Sequence, residues 1–171
     1  VTVHSLGRVV WDKPAFHNKR YIWPLGYHTS RAYLSGVNPE AQTIYHSEIV
    51  EAAGNAPQFV VWAEDQPEVM HRSPTSTGAW TAVLKQAHAI RGKEYGNSAS
   101  GPDFVGLTHA TICMLIEQLP NADRCAEYQM KTWEIVDNDN NIPDDGNMDP
   151  VSDNMQPPSS NEVANTLMQL K

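Results

Sequence analysis

The order in which the hydrophobic periods occur constrains this fold most strongly. Up to about residue 73 the apolar residues fall in short strand-like runs, and beyond that point they recur at helical spacing. Alternating strands and helices would indicate parallel βαβ units, whereas strands followed by helices are typical of an antiparallel sheet with helices packed on it. The sequence therefore predicts an α+β fold, with an antiparallel sheet of roughly five to six strands and two to three helices.

A hairpin is predicted near the centre of the strand-rich half. Residues 42–51 alternate between two faces, residues 58–65 are β-branched and aromatic, and a turn-forming segment separates the two runs. Upstream, residues 6–12 are expected to form a short strand. Residues 20–34 are expected to form an irregular or edge strand bent at Pro24, because proline cannot donate to a central ladder. A last strand is predicted over 128–136.

The second half of the domain is predicted to be helical. Ser73 is a suitable N-cap for a first helix, in which apolar residues recur at helical spacing from Trp80. Thr108 and Pro120 are expected to bound a second helix. Glycine and serine are frequent between the two helices, at 96–102, which predicts a loop there.

Acidity is concentrated at the end of the chain. The 171 residues carry a net charge of −8, but residues 1–136 contain 13 acidic and 11 basic side chains, and residues 137–171 contain seven acidic and one basic. Asp, Asn, Pro, Ser and Gly dominate the last segment, and such a composition buries too little apolar surface to offset the entropy of ordering. We therefore expect a domain over 1–136 and an acidic tail over 137–171.

The tail ends in one segment with a helical pattern. Ser159 and Glu162 have the spacing of a capping box, and Val163, Leu167 and Leu170 form an apolar stripe. A short amphipathic helix is predicted at about 160–170. Alone it would be marginal in water, so it is expected to dock either on its own domain or on a partner.

Basic residues outnumber acidic ones at the start of the chain. A chain that is acidic overall is a poor general binder of nucleic acid, because neutralising phosphates requires clustered lysine and arginine. The basic segment is either an ordinary solvated surface or a contact for DNA or an acidic partner. Its members are Arg8, Lys13, Lys19, Arg20 and Arg31.

Compartment and membrane association follow from two simple observations. The two cysteines, Cys113 and Cys125, do not make a disulfide framework, which favours a reducing intracellular compartment. The longest apolar runs, such as 112–116, are far shorter than the roughly 20 residues that cross a bilayer. Neither a signal peptide nor a membrane partner is expected.

The sequence contains no recognisable catalytic or metal-binding motif. Its seven histidines include no His-x-x-x-His pair and lie at no zinc-ligand spacing from a cysteine. The segment around Ser98 resembles a nucleophile elbow, but Ser100 stands where the second glycine should be. We expect no catalytic residue, cofactor or metal. A hydrolase that uses Ser98 or Ser100 with a histidine is an alternative from another class of function.

Aromatic residues are unusually dense over 16–27. This segment holds Phe16, Tyr21, Trp23 and Tyr27 around a bend. Such rings either close a small hydrophobic core or, with a neighbouring arginine, form the anchors of a partner surface.

The same segment carries a family resemblance. Residues 14–31, Pro-Ala-Phe-His-Asn-Lys-Arg-Tyr-Ile-Trp-Pro-Leu-Gly-Tyr-His-Thr-Ser-Arg, resemble the FY-rich N-terminal motif (FYRN). Separate blocks at 45–49, 57–59, 73–80, 100–107 and 116–128 resemble the FY-rich C-terminal motif (FYRC) in the same order. The first motif would span about 5–45 and the second about 45–130. Trp23, where the family usually has tyrosine, is a departure from the pattern.

The resemblance implies that the two motifs interleave into one α+β domain. It further implies a non-catalytic protein-protein interaction module of nuclear, chromatin-associated proteins such as trithorax-type histone methyltransferases. Such a module would dock subunits of a histone-modifying or chromatin-remodelling complex and take part in transcription regulation; the alternative is direct histone or DNA contact through the basic segment and acidic tail. The expected structural anchors are Phe16, Tyr21, Pro24, Gly26, Tyr27, Trp80, Phe104, Leu107 and Tyr128. The candidate partner contacts are Arg20, Trp23, Arg31, Val163, Leu167 and Leu170.

Overall fold

A computed structural model describes residues 1–133 of the chain. It contains five strands, three α-helices and two short 3-10 turns. The strands are β1 (Thr2–Ser5), β2 (His28–Leu34), β3 (Gln42–Ala52), β4 (Ala56–Ala63) and β5 (Gln66–Ser73). The helices are α1 (Ser76–Ala89), α2 (Gly101–Phe104) and α3 (Ala110–Glu117), and the 3-10 turns are Pro14–Phe16 and Ala122–Arg124.

The strands form one antiparallel sheet in the order β1-β2-β3-β4-β5. This arrangement, with α1 packed on β4 and β5 and α2 packed on α1, confirms the predicted α+β class. The predicted hairpin is also present: β3 and β4 pair from Tyr45 opposite Ala63 to Ala52 opposite Ala56. Its three-residue loop places Gly54 and Asn55 at positive φ, which glycine and asparagine tolerate best.

Several expectations about strands are wrong. Within 20–34 only His28–Leu34 forms a strand, and this strand, β2, lies between β1 and β3 and not at an edge of the sheet. Residues 6–12 form no strand and contribute only an isolated bridge between Arg8 and Leu25, while β1 lies upstream at Thr2–Ser5. The sequence predicts no strand directly after 58–65, yet β5 follows there and includes Pro67. β5 is an edge strand, where the missing N–H of proline removes no ladder hydrogen bond that the sheet needs.

The helix boundaries differ by a few residues from those predicted. Helix α1 begins at Ser76, and its N-cap is Thr75, whose Oγ1 accepts a hydrogen bond from the Gly78 N–H at 3.0 Å. Ser73 instead ends β5. Helix α3 begins at Ala110 with His109 as N-cap, and α2 replaces part of the expected loop.

Two predicted elements near the end of the chain lie partly or wholly outside the described residues. Residues 128–133 form no strand, and 134–136 lie beyond the part that the structure describes. The predicted helix at 160–170, including Val163, Leu167 and Leu170, lies outside it as well. Among the described helices, none is long and apolar enough to cross a membrane.

The hydrophobic core lies between the sheet and the helices. Its centre is the Trp80 ring of α1, which is fully buried and donates through Nε1 to the Ser47 hydroxyl at 3.1 Å. Tyr45 and Phe104 lie beside it, with ring centroids 5.6 and 4.5 Å from that of Trp80. Because side chains alternate along a strand, residues such as Tyr45, Ser47 and Ile49 face the helices, and their neighbours in β3 face away.

Candidate functional site

The residues expected to be structural anchors lie at different depths. Five of them are fully buried, namely Phe16, Pro24, Tyr27, Trp80 and Leu107. The other four are half-buried, namely Tyr21, Gly26, Phe104 and Tyr128.

The Tyr128 hydroxyl donates to the Glu117 carboxylate at 2.7 Å. Burial and this neighbouring carboxylate raise the pKa of Tyr128 well above its ordinary value. Burial likewise raises the pKa of Tyr45 to about 12, so these phenols are neutral donors.

The residues expected to contact partners are not one surface. Arg20 is exposed, whereas Trp23 is half-buried and packs edge-on against Phe59, with 6.3 Å between ring centroids. The guanidinium of Arg31 lies 4.5 Å from the centroid of the Phe104 ring and donates to the Phe104 carbonyl at 3.5 Å. Arg31 is therefore engaged within the domain.

The N-terminal basic residues also fail to form a continuous patch. Lys13 pairs with Glu51 and donates to the Asn55 side chain at 3.0 Å. Lys19 and Arg20 remain exposed, and they line a shallow surface depression with Lys131, which comes from the end of the described chain. We call this feature the basic depression; its other lining residues are Tyr21, Thr108 and Gln129. Its charge suits an acidic partner segment.

A second feature lies on the face of the sheet that points away from the helices. There His4, His28 and His46, from β1, β2 and β3, bring one ring nitrogen each within 4.8 Å of one another. The His28 Nε2 and His46 Nδ1 atoms are 3.0 Å apart. We call these three residues the histidine cluster. Trp62 of β4 stacks beside His28 and His46, with centroid distances of 5.6 and 5.2 Å.

Neighbouring side chains fix the orientation of the cluster. The Nε2 atom of His46 lies 3.0 Å from the Glu64 carboxylate, and the Nε2 atom of His4 lies 2.8 Å from the Ser30 hydroxyl. Burial lowers the pKa of His28, and the nearby His4 and His46 rings lower it further. These shifts favour the neutral form of His28, in which one ring nitrogen carries a free lone pair.

Sequence reasoning missed this cluster. Spacing rules detect ligands that share a helix or a short loop, whereas these three histidines come from separate strands and meet through sheet register. The available signal was the alternation of β3, which placed His46 on one face, together with His28 in the preceding strand. That signal alone does not place His4, because the β1–β2 pairing has an irregularity between Val3 and Ser5.

The alternative hydrolase finds no support in the described geometry. Ser98 and Ser100 are exposed, and within residues 1–133 neither side chain hydrogen-bonds to a histidine. The backbone N–H of the intervening Ala99 donates instead to the Thr81 hydroxyl at 2.9 Å, which ties this segment to α1.

Comparison with known families agrees with this architecture. Residues 1–52 match the F/Y-rich N-terminus family and residues 56–133 match the F/Y-rich C-terminus family. The chain belongs to the FYR domain family. Its FYRN part supplies β1 to β3 and its FYRC part supplies β4, β5 and the helices, so the two motifs share one sheet and one core.

The relatives of this FYR chain carry the names of a growth-factor regulator and of histone methyltransferases. Transforming growth factor beta regulator 1 of Mus musculus is 35% identical over 130 residues, covering 75% of this chain and 32% of the relative. Histone-lysine N-methyltransferase TRX1 of Oryza sativa subsp. japonica is 31% identical over 134 residues, covering 74% and 13%. Histone-lysine N-methyltransferase trr of Drosophila melanogaster is 30% identical over 126 residues, covering 68% and 5%.

The matched region is a small part of each relative. The chain spans about a third of the length of the regulator proteins that it matches, and much less of the methyltransferases. The similarity therefore concerns a chromatin-related module that proteins of very different length share.

Proposed function

We propose that this chain is a non-catalytic protein-protein interaction module of a nuclear, chromatin-associated protein. In this role the FYR domain, which we place over 1–136, docks subunits of a histone-modifying or chromatin-remodelling complex. The acidic tail over 137–171 and its terminal apolar stripe would add a second contact.

One observation carries this proposal. The same domain occurs in a regulator protein and in histone methyltransferases, although it makes up 32% of the first and only 13% or 5% of the others. The domain occurs both in proteins named as methyltransferases and in a protein named as a regulator. A role in binding other proteins explains its presence in both more simply than a role in methyl transfer does.

The basic depression is the surface that we propose for docking. Lys19 and Arg20 are exposed and share it with Lys131, and no intramolecular salt bridge to any of them occurs within the described residues. Three cations that have no carboxylate partner among the described residues, gathered around one depression, attract acidic segments. Such attraction raises the rate of association and selects partners.

Affinity purification of the full tagged chain from nuclear extract tests the proposal. A double charge reversal, Lys19→Glu with Arg20→Glu, is compared with a matched reversal on another surface, Lys85→Glu with Lys93→Glu, whose residues are also exposed. We expect the wild type and the control to retain a fixed set of histone-modifying or remodelling subunits at physiological salt. The Lys19/Arg20 variant should retain less of that set.

Other outcomes would contradict the proposal. Recovery of histones or DNA alone, lost steeply as salt rises, would indicate direct chromatin contact, because backbone binding releases counterions. If the Lys19/Arg20 variant retained the same subunits as the wild type, the basic depression would not be the docking surface. A cytoplasmic distribution of the fluorescently labelled full-length protein would contradict the nuclear role.

A further inference from the structure

The histidine cluster has the composition of a metal site. His4, His28 and His46 bring one nitrogen each within 4.8 Å of the other two. Neutral imidazole is a preferred ligand of zinc and of related divalent transition metals, and three imidazoles with a water molecule complete one tetrahedral zinc site. We propose that these three residues form a binding site for a divalent transition-metal ion, zinc being the ion that they suit best.

Two of the three histidines, His28 and His46, form an inner pair whose facing ring nitrogens are almost as far apart as two ligand nitrogens on one zinc ion. His28 Nε2 and His46 Nδ1 lie 3.0 Å apart. Two nitrogens bound tetrahedrally to one zinc, each at about 2.05 Å, lie about 3.3 Å from each other. Binding would therefore need these two rings to separate by only a few tenths of an ångström.

The third ring is able to complete the set. His4 is exposed on β1, an edge strand of the sheet, and its Nε2 atom already contacts the Ser30 hydroxyl at 2.8 Å, so its Nδ1 atom is the nitrogen left to bind an ion. Its ring centroid already lies 4.7 Å from that of His28 and 5.6 Å from that of His46. The inner pair, held on two paired strands, would provide the fixed part of the site and His4 the adjustable part.

The surrounding residues resemble the second layer of a metal site. Glu64 lies 3.0 Å from His46 Nε2, and a carboxylate at that position favours the tautomer that carries its proton on Nε2, which leaves the lone pair of Nδ1 on the side of His28. A carboxylate that accepts from the outer nitrogen of a histidine ligand sets its tautomer and increases its basicity. The stacked Trp62 ring shields the two inner imidazoles from water on one side.

The same contacts permit a simpler arrangement without metal. In it, His28 donates its Nε2 proton to His46 Nδ1, and the cluster is only a hydrogen-bonded network. The two arrangements differ in one measurable property, which is whether His46 Nδ1 binds an ion in preference to a proton from His28.

Zinc titration distinguishes the metal site from the metal-free network. The titrated protein is the full chain without a histidine tag, stripped beforehand with a chelator. We expect one zinc ion per chain by calorimetry. His28→Ala and His46→Ala should each weaken zinc binding by more than the roughly 10- to 100-fold that loss of an outer hydrogen-bond partner costs, since each variant removes a ligand. His109→Ala, an exposed histidine outside the cluster, should bind zinc like the wild type.

A second variant and a second readout keep the test valid if the histidine variants fold poorly. Glu64 is exposed, so Glu64→Gln should unfold at the wild-type temperature, and we expect its zinc affinity to fall about 10- to 100-fold. In ¹⁵N spectra of the wild-type imidazoles, zinc should shift the Nδ1 signal of His46. Absence of binding at tens of micromolar zinc, no shift at that nitrogen, or unchanged affinity in folded His28 and His46 variants would each overturn the proposal.

Discussion

The phenol of Tyr27 donates a hydrogen bond to the backbone carbonyl of Val105 over 2.9 Å, which links two positions 78 residues apart. The hydroxyl of Thr29 donates to the same carbonyl at 3.2 Å. Both donors lie in the FYRN part and the acceptor lies in the FYRC part. Tyr27 and Thr29 are each only 1% exposed, so this shared acceptor is a buried connection between the two motifs.

A double-mutant cycle tests that connection. Tyr27→Phe should cost about 1 kcal/mol of unfolding free energy, because Thr29 still satisfies the Val105 carbonyl. Thr29→Val should behave similarly. The double variant should cost more than the sum, since it leaves a buried carbonyl without a partner, and strict additivity in urea unfolding would contradict the shared-acceptor geometry. Tyr27→Ala, which also removes the ring, should cost about 3–5 kcal/mol.

Arg31 and Arg20 are both candidate partner contacts by sequence, but they lie in different environments, so their contributions to stability should differ. Arg31 places its guanidinium over the Phe104 ring and donates to the Phe104 carbonyl, whereas Arg20 is exposed. Arg31→Met should lower the unfolding free energy by about 1 kcal/mol, the scale of a partly buried cation–π contact. Arg20→Met should stay within about 0.5 kcal/mol of the wild type. Equal effects in thermal or urea unfolding would show that the Arg31 contact adds no stability.

Local signals predicted the hairpin and the helical second half. In β3 and β4 the alternation of side chains agrees with a turn at Gly54 and Asn55. In α1 the spacing of apolar residues predicts the helix, although its N-cap is Thr75 and not Ser73. Where each local choice supports the global fold, sequence reasoning succeeds. It failed for β5, because Pro67 is compatible with an edge strand and edge position is a property of the whole sheet.

The candidate sites were less accessible to sequence reasoning. Lys131 joins Lys19 and Arg20 only because the chain returns to the first motif, where the Gln129 N–H donates to the Lys19 carbonyl at 3.3 Å. The histidine cluster depends on the register of three strands and on an irregularity in one of them. Such placements arise from tertiary packing and leave no spacing motif in the chain.

His71 makes stability depend on pH. It lies half-buried on the helix-facing side of β5, and burial lowers its pKa below 6.5, although a hydrogen bond with Gln86 partly opposes the shift. The unfolded chain therefore binds this proton more readily than the folded one. The His71 contribution is constant above about pH 6.5 and becomes destabilising as pH falls below that value.

Replacing this side chain should remove its part of the pH dependence. We expect His71→Gln to lose less stability than the wild type when chemical unfolding is repeated between pH 7 and pH 5. His109→Gln, at an exposed position, should follow the wild-type curve. Parallel curves for His71→Gln and the wild type would show that proton uptake at His71 does not contribute.

Gly101 marks the closest approach of α2 to α1, and it provides the sharpest steric test. A Cβ atom there would lie 2.1 Å from the Thr77 nitrogen and 2.3 Å from the Ser76 carbonyl carbon, both of them backbone atoms that cannot rotate away. Gly101→Ala should therefore destabilise the domain by about 3 kcal/mol or more, because the helices must separate. Gly96→Ala is the matched control, since nothing lies within 4 Å of its Cβ, and its unfolding free energy should change by less than about 0.5 kcal/mol. If thermal and urea unfolding gave similar values for the two variants, α2 would not pack against α1 as closely as these distances require.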